Sequence, residues 1–109
     1  FLIVRHIAKL ARLDFEAPDE ARFPAIRLAR TALTRGGLQA AIMNAAEETA
    51  FDAFVAEKIG FLDMADIVEA TMDRLIDCGE AANIADVSAA DGEARKVAAD
   101  IIATHEKTA

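Results

Sequence analysis

Tryptophan and tyrosine are absent from these 109 residues, so any core rests on the six phenylalanines and on Leu, Ile, Val and Met. Cysteine occurs once, at Cys78, which excludes an internal disulfide. Histidine occurs only at His6 and His105, near opposite ends. A tetrahedral zinc site needs several Cys or His at suitable spacing, so none is expected. Basic charge is also scarce. The formal net charge of −7 argues against a nucleic-acid surface and equally against an anionic membrane as partner. The acidic surplus favours solubility instead. The apolar start, Phe1 to Val4, is too short for a transmembrane span or a signal core. No targeting segment is read, and a cytoplasmic location is expected. The missing initiator Met makes the chain read as a piece of something longer.

What remains is an alanine-rich chain, 54% apolar and of a length suited to one domain. Alanine favours helix and lets helices approach closely, while adding little buried area per residue. Leu2, Ile3, His6, Ile7, Leu10 and Leu13 have the spacing of a short amphipathic helix. Leu13 to Glu16 alternates and predicts a brief extended piece, and Ala17-Pro18-Asp19 predicts a turn. Residues 1–16 thus form a linker before a helical bundle over 17–109.

Pro24 suits a first helical turn. The helix it opens should bury Ile26, Ala29, Ala32 and Leu33, with Arg27, Arg30, Thr34 and Arg35 opposite, and stop at Gly36-Gly37. The next, from about Leu38 to Glu57, is apolar around most of its circumference through Ile42, Met43, Ala46, Ala50, Phe51, Phe54 and Val55. Its polar stripe, Asn44, Glu48 and Asp52, is narrow, as expected of a central helix. Gly60 breaks the pattern. Asp63 is placed to cap a third helix over about Met64 to Asp77, burying Met64, Ile67, Val68, Met72, Leu75 and Ile76 and ending before Gly79. Glu80 to Val87 reads as a polar connection anchored by Ile84 and Val87. Ser88-Ala89-Ala90-Asp91 resembles a capping box, leading into a last helix with Ala94, Val97, Ala98, Ile101 and Ile102 on one face. The tail after His105 is expected to fray. The fold class predicted is all-α: a four-helix-bundle-like domain with a short N-terminal helix or extended segment.

Few residues suggest chemistry. Asn44, Glu47 and Glu48 place carboxylates on a mostly apolar helix, but no Glu has His three positions on, as a di-metal bundle would require. Cys78 lies near a helix C-terminus, where the dipole disfavours a thiolate. His105 continues the stripe of the last helix and reads as a boundary residue. Arg27, Arg30 and Arg35 read as a solvated face, and Gly36-Gly37 lies between helices rather than in a phosphate loop. The catalytic, cofactor-binding and metal sets are therefore each read as none. Asn44, Glu48 and Asp52 are the candidate docking face toward another domain.

Several stretches in order carry a resemblance. They are Leu13-Asp14-Phe15-Glu16-Ala17-Pro18-Asp19, Arg22-Phe23-Pro24-Ala25-Ile26-Arg27-Leu28-Ala29, Asn44-Ala45-Ala46-Glu47-Glu48, Ala53-Phe54, Ile59-Gly60-Phe61-Leu62-Asp63 and Asp86-Val87-Ser88-Ala89-Ala90-Asp91 with Ala94-Arg95 and Val97-Ala98. Together they resemble the C-terminal end of the 1-deoxy-D-xylulose 5-phosphate reductoisomerase family. The most specific piece is similar to that family's Asn-Ala-Ala-Asn-Glu signature, with Glu47 where Asn is usual. Phe1 to His6 departs from the family's linker, which is richer in Pro and Arg. The resemblance implies a parent enzyme using NADPH and Mg or Mn, whose nucleotide, metal and phosphate sites lie upstream of the matched segment. It implies that this segment binds neither cofactor and that its partner is the upstream catalytic domain. Self-association of the isolated domain is a further expectation, including exchange of the N-terminal segment. The rival readings are a stand-alone helical interaction module and a carboxylate-bundle metalloprotein.

Overall fold

The computed structural model describes residues 2–108, apart from the side chains of 106–108. Helices are the regular elements of the described residues: α1 (Leu2–Leu10), α2 (Ala25–Arg35), α3 (Gln39–Val55), α4 (Asp63–Arg74) and α5 (Ile84–Thr108). None is long and apolar enough to cross a membrane. α3 is the spine, packed against α5 and α4 and more lightly against α2, while α4 also meets α5. α1 packs against none of the other helices.

The core follows from residue size. Ala45, Ala46 and Ala50 of α3 and Ala94 and Ala98 of α5 are all fully buried. Such small side chains let two helix backbones approach closely, since interaxial distance depends on the residues at the contact. The bulk is supplied by Ile42, Ile67 and Met72, each almost wholly excluded from solvent.

α2 and α3 are each followed by a residue at positive φ. Gly36 ends α2 at φ 70°, as expected of the Gly36-Gly37 stop. α3 ends in a Schellman arrangement: Lys58 N–H donates to Ala53 O and Glu57 N–H to Phe54 O, with Glu57 at φ 61°. Asp19 Oδ1 accepts from the N–H groups of Ala21 and Arg22, so the lead-in turn centres just after Pro18.

Several expectations need correction. α4 starts at Asp63, whose carboxylate reaches back to accept from Gly60 N–H at 2.7 Å rather than capping the helix from outside. It ends at Arg74, and Ile76 is exposed. The last helix starts at Ile84, before the Ser88 box. Asn83 Oδ1 accepts from Asp86 N–H, and Asp86 Oδ2 accepts from Ala82 N–H, so the reciprocal cap forms five residues earlier than expected. Ile84 and Val87 consequently lie exposed on a helix rather than anchoring a loop. In α2 the buried residues are Leu28 and Ala32, while Ile26 and Leu33 face outward. On α3, Phe51 and Val55 are exposed. α5 continues to Thr108, and the fraying expected after His105 falls mostly on side chains outside the described residues.

Candidate functional site

Three of the exposed aromatic residues share one surface. Phe23 precedes α2, Phe51 projects from α3, and Phe61 and Leu62 lead into α4, all well exposed. They line one groove of about 1040 Å³, floored by Leu28, Met43 and Val68. Phe61 is propped edge-on against Phe54, with ring centroids 5.8 Å apart. The Arg22 guanidinium lies 5.4 Å from the centre of the Phe23 ring. Asn44, Glu47, Glu48 and Asp66 supply polar groups along the groove. An open apolar surface with a polar border is the form of an interaction site rather than of a solvated face.

The three candidate docking residues occupy one exposed stripe of α3 but do not share one surface. Asn44 and Glu48 line the groove, whereas Asp52 lines a smaller depression of about 420 Å³ with Thr49, Lys58 and Ile102. Glu48 also has a partner within the domain. Its Oε2 accepts from Arg95 Nη2 at 2.6 Å, and Asn44 Nδ2 donates to its other oxygen at 3.4 Å. Arg95 also grips Asp91 of α5 through Nε at 2.7 Å. The hydrogen bond and charge of Arg95 hold the Glu48 and Asp91 carboxyls below their ordinary range.

The basic face of α2 is not simply solvated. Arg27 forks onto Glu69 of α4 at 2.6 and 2.9 Å, Arg35 donates to Asp73 at 2.7 Å, and Arg30 pairs with Glu20. Bidentate geometry makes the first the most specific of the three. It lowers the Glu69 carboxyl below its usual range. These cations therefore tie α2 to α4 and to the lead-in turn.

The linkage has a definite sign. Folded-state pKa values of Glu48, Glu69 and Asp91 are depressed, so their stabilisation is present above the ordinary carboxylate range and lost as pH falls through the folded values. The melting temperature should fall as pH drops below about 4. Arg95→Gln should flatten that decline, and an unchanged acid limb in the variant would contradict the contribution of the pair.

Sequence patterning missed Gln39. It is buried at the first position of α3, where its Nε2 donates to Leu75 O at 2.8 Å and its Oε1 accepts from Arg35 at 3.3 Å. It thereby satisfies a carbonyl at the end of α4. The only local signal was a polar residue after Gly-Gly-Leu. Cys78 Sγ lies 3.6 Å from Gln39 Nε2, and the half-buried thiol also approaches Gly79 O. His105 lies half-buried on α5. Among the described residues, no three His, Cys, Asp or Glu side chains converge as a metal group.

Comparison with known proteins gives the groove its context. The DXP reductoisomerase C-terminal domain model matches residues 4–97. The chain is 70% identical over 102 residues to the 1-deoxy-D-xylulose 5-phosphate reductoisomerase of Agrobacterium fabrum, covering 94% of this chain and 26% of that protein. It is 66% identical over 101 residues to that of Rhizobium rhizogenes, covering 93% and 25%. The solved reductoisomerase of Zymomonas mobilis in complex with NADPH superposes with a TM-score of 0.81 at 48% identity, over 88% of this chain and 25% of that one. The chain thus spans about a quarter of the length of the relatives it matches. By sequence and by fold alike, it belongs to the DXP reductoisomerase C-terminal domain family.

Proposed function

We propose that this domain is a rigid buttress for the catalytic part of a cytoplasmic reductoisomerase. The parent reaction is the rearrangement and NADPH-dependent reduction of 1-deoxy-D-xylulose 5-phosphate to 2-C-methyl-D-erythritol 4-phosphate, an isoprenoid precursor. A divalent Mg or Mn supplies Lewis-acid polarisation of the substrate in the upstream domain. Residues 1–16 act as the linker and residues 17–109 as the supporting bundle. No residue here is assigned a catalytic, cofactor-binding or metal-binding role.

The observation carrying this reading is the open aromatic groove bordered by Asn44 and Glu48. Support of this kind bears on rate, because reacting groups misplaced by about 1 Å can lose about a hundredfold. The docking residues are Asn44 and Glu48, beside the apolar contact, and Asp52, on the neighbouring depression.

The test uses a full-length enzyme carrying this domain. Combined Asn44→Ala, Glu48→Ala and Asp52→Ala substitutions should lower both kcat and melting temperature. Arg95→Gln, which frees Glu48 without removing it, should leave kcat closer to the parent value. Unchanged activity and stability in the triple variant would sink the assignment.

A further inference from the structure

Charge along the groove is answered unevenly. Three carboxylates line it, Glu47, Glu48 and Asp66, against one cation, Arg22. Glu48 is already matched inside the domain, because Arg95 donates to one of its oxygens and Asn44 to the other. Arg22 is drawn to the face of the Phe23 ring. Glu47 and Asp66 are left. Both are exposed, and neither carboxylate has a hydrogen-bond or ion-pair partner among the described residues.

Their positions bear on what they meet. Asp66 lies in the first turn of α4, where the positive end of the helix favours a carboxylate. Glu47 has no such reason. It stands in the middle of α3, with Met43 one turn before it and Phe51 one turn after, both lining the groove. The two helices that floor the groove through Met43 and Val68 thus each bring one unmatched carboxylate to it.

Covering an apolar surface removes water from its border. A carboxylate there loses hydration, so a cover with no cation opposite incurs the cost of an unpaired charge. A cover that places Lys or Arg opposite avoids it. Most of the length of the matched relatives lies outside the aligned quarter, and the catalytic part is the cover already proposed. Resting on that reading, we propose that the catalytic part seats an apolar segment flanked by Lys or Arg in this groove, paired with Glu47 and Asp66. The rings of Phe51 and Phe61 supply the contact area. The two carboxylates fix register, as complementary charges at interfaces do. A segment equally apolar but flanked by acids is rejected by both.

The test compares melting temperatures in the full-length enzyme and in the 109-residue chain. Glu47→Lys should lower the value by about 2–6 °C in the full-length enzyme, where it sets like charges against each other. In the 109-residue chain it should lower nothing, because Glu47 has no partner there and the net charge of −7 is reduced. Asp66→Asn should also cost more in the full-length enzyme, and comparing the two settings removes its helix-dipole contribution. Both differences should shrink at about 1 M salt, where the screening length is about 3 Å. Glu93→Lys makes the same charge change at an exposed position of α5, and should leave the full-length enzyme as stable as before. Equal losses from Glu47→Lys in the two settings overturn the proposal, since they make Glu47 a residue of the bundle's own stability. A full-length Glu47→Lys enzyme as stable as Glu93→Lys overturns it too. Groove rings oxidised as readily with the catalytic part as without it sink the buttress reading, and this inference with it. Rings that are protected beside an indifferent Glu47→Lys variant sink the inference alone.

Discussion

Gly37→Ala is expected to destabilise the bundle by about 2–4 kcal/mol, combining left-handed strain with a lost backbone hydrogen bond. Gly37 has φ 55°, and a Cβ there would lie 2.3 Å from Gly79 O. That oxygen also accepts the N–H of Leu38 at 3.1 Å, joining the α2–α3 turn to the segment after α4. The carbonyl is backbone, so it cannot swing aside as a flexible side chain would. Gly79→Ala isolates the conformational part, because Gly79 also has positive φ but faces empty space. Thermal unfolding of the two variants should show Gly37→Ala as clearly the worse, at about 4 °C for each kcal/mol. Equal losses would mean that the close approach contributes nothing.

The other large effect concerns packing. Ile67→Ala should cost about 2–5 kcal/mol, the range for emptying a buried aliphatic site. Ile67 is 0% exposed, and its carbonyl accepts the hydroxyl of buried Thr71 at 2.8 Å. Leu33→Ala provides the contrast, because Leu33 is 79% exposed although periodicity places it on the buried face. Its removal should change stability by under about 0.5 kcal/mol. Denaturant midpoints would check both, and similar losses in the two variants would contradict the assigned core.

That contrast indicates what periodicity can and cannot resolve. The stripe on α4 was legible because Ile67, Val68 and Met72 stand among polar neighbours. On α2 the apolar residues are spread around the helix, and the Arg27–Glu69 and Arg35–Asp73 pairs help orient it toward α4. Those partners are distant in sequence, so spacing alone selected Leu33 over Leu28. The cap at Asn83 was available locally, but Ser88-Ala89-Ala90-Asp91 offered a competing cap of similar form. Burial of Gln39 depends on the carbonyl of Leu75, a contact made only once the chain folds.

The groove was illegible for a related reason. Phe51 counted toward an apolar circumference on the central helix, so it was expected to be covered; it is 55% exposed. Phe23 and Phe61 were read as parts of family-like stretches on separate segments. Only packing brings these rings to one surface. The Asn44–Glu48–Asp52 stripe was visible from spacing, but its division between two depressions and the hold of Arg95 on Glu48 were not.

The buttress reading is tested most directly by hydroxyl-radical footprinting of a full-length enzyme against the bundle lacking α1. Phe23, Phe51, Phe61 and Met64 line the groove, and the catalytic part is expected to cover them. Their oxidation should fall in the full-length protein, while Leu33 and Ile84, exposed elsewhere, change little. Equal oxidation of the groove residues in both proteins would contradict the account.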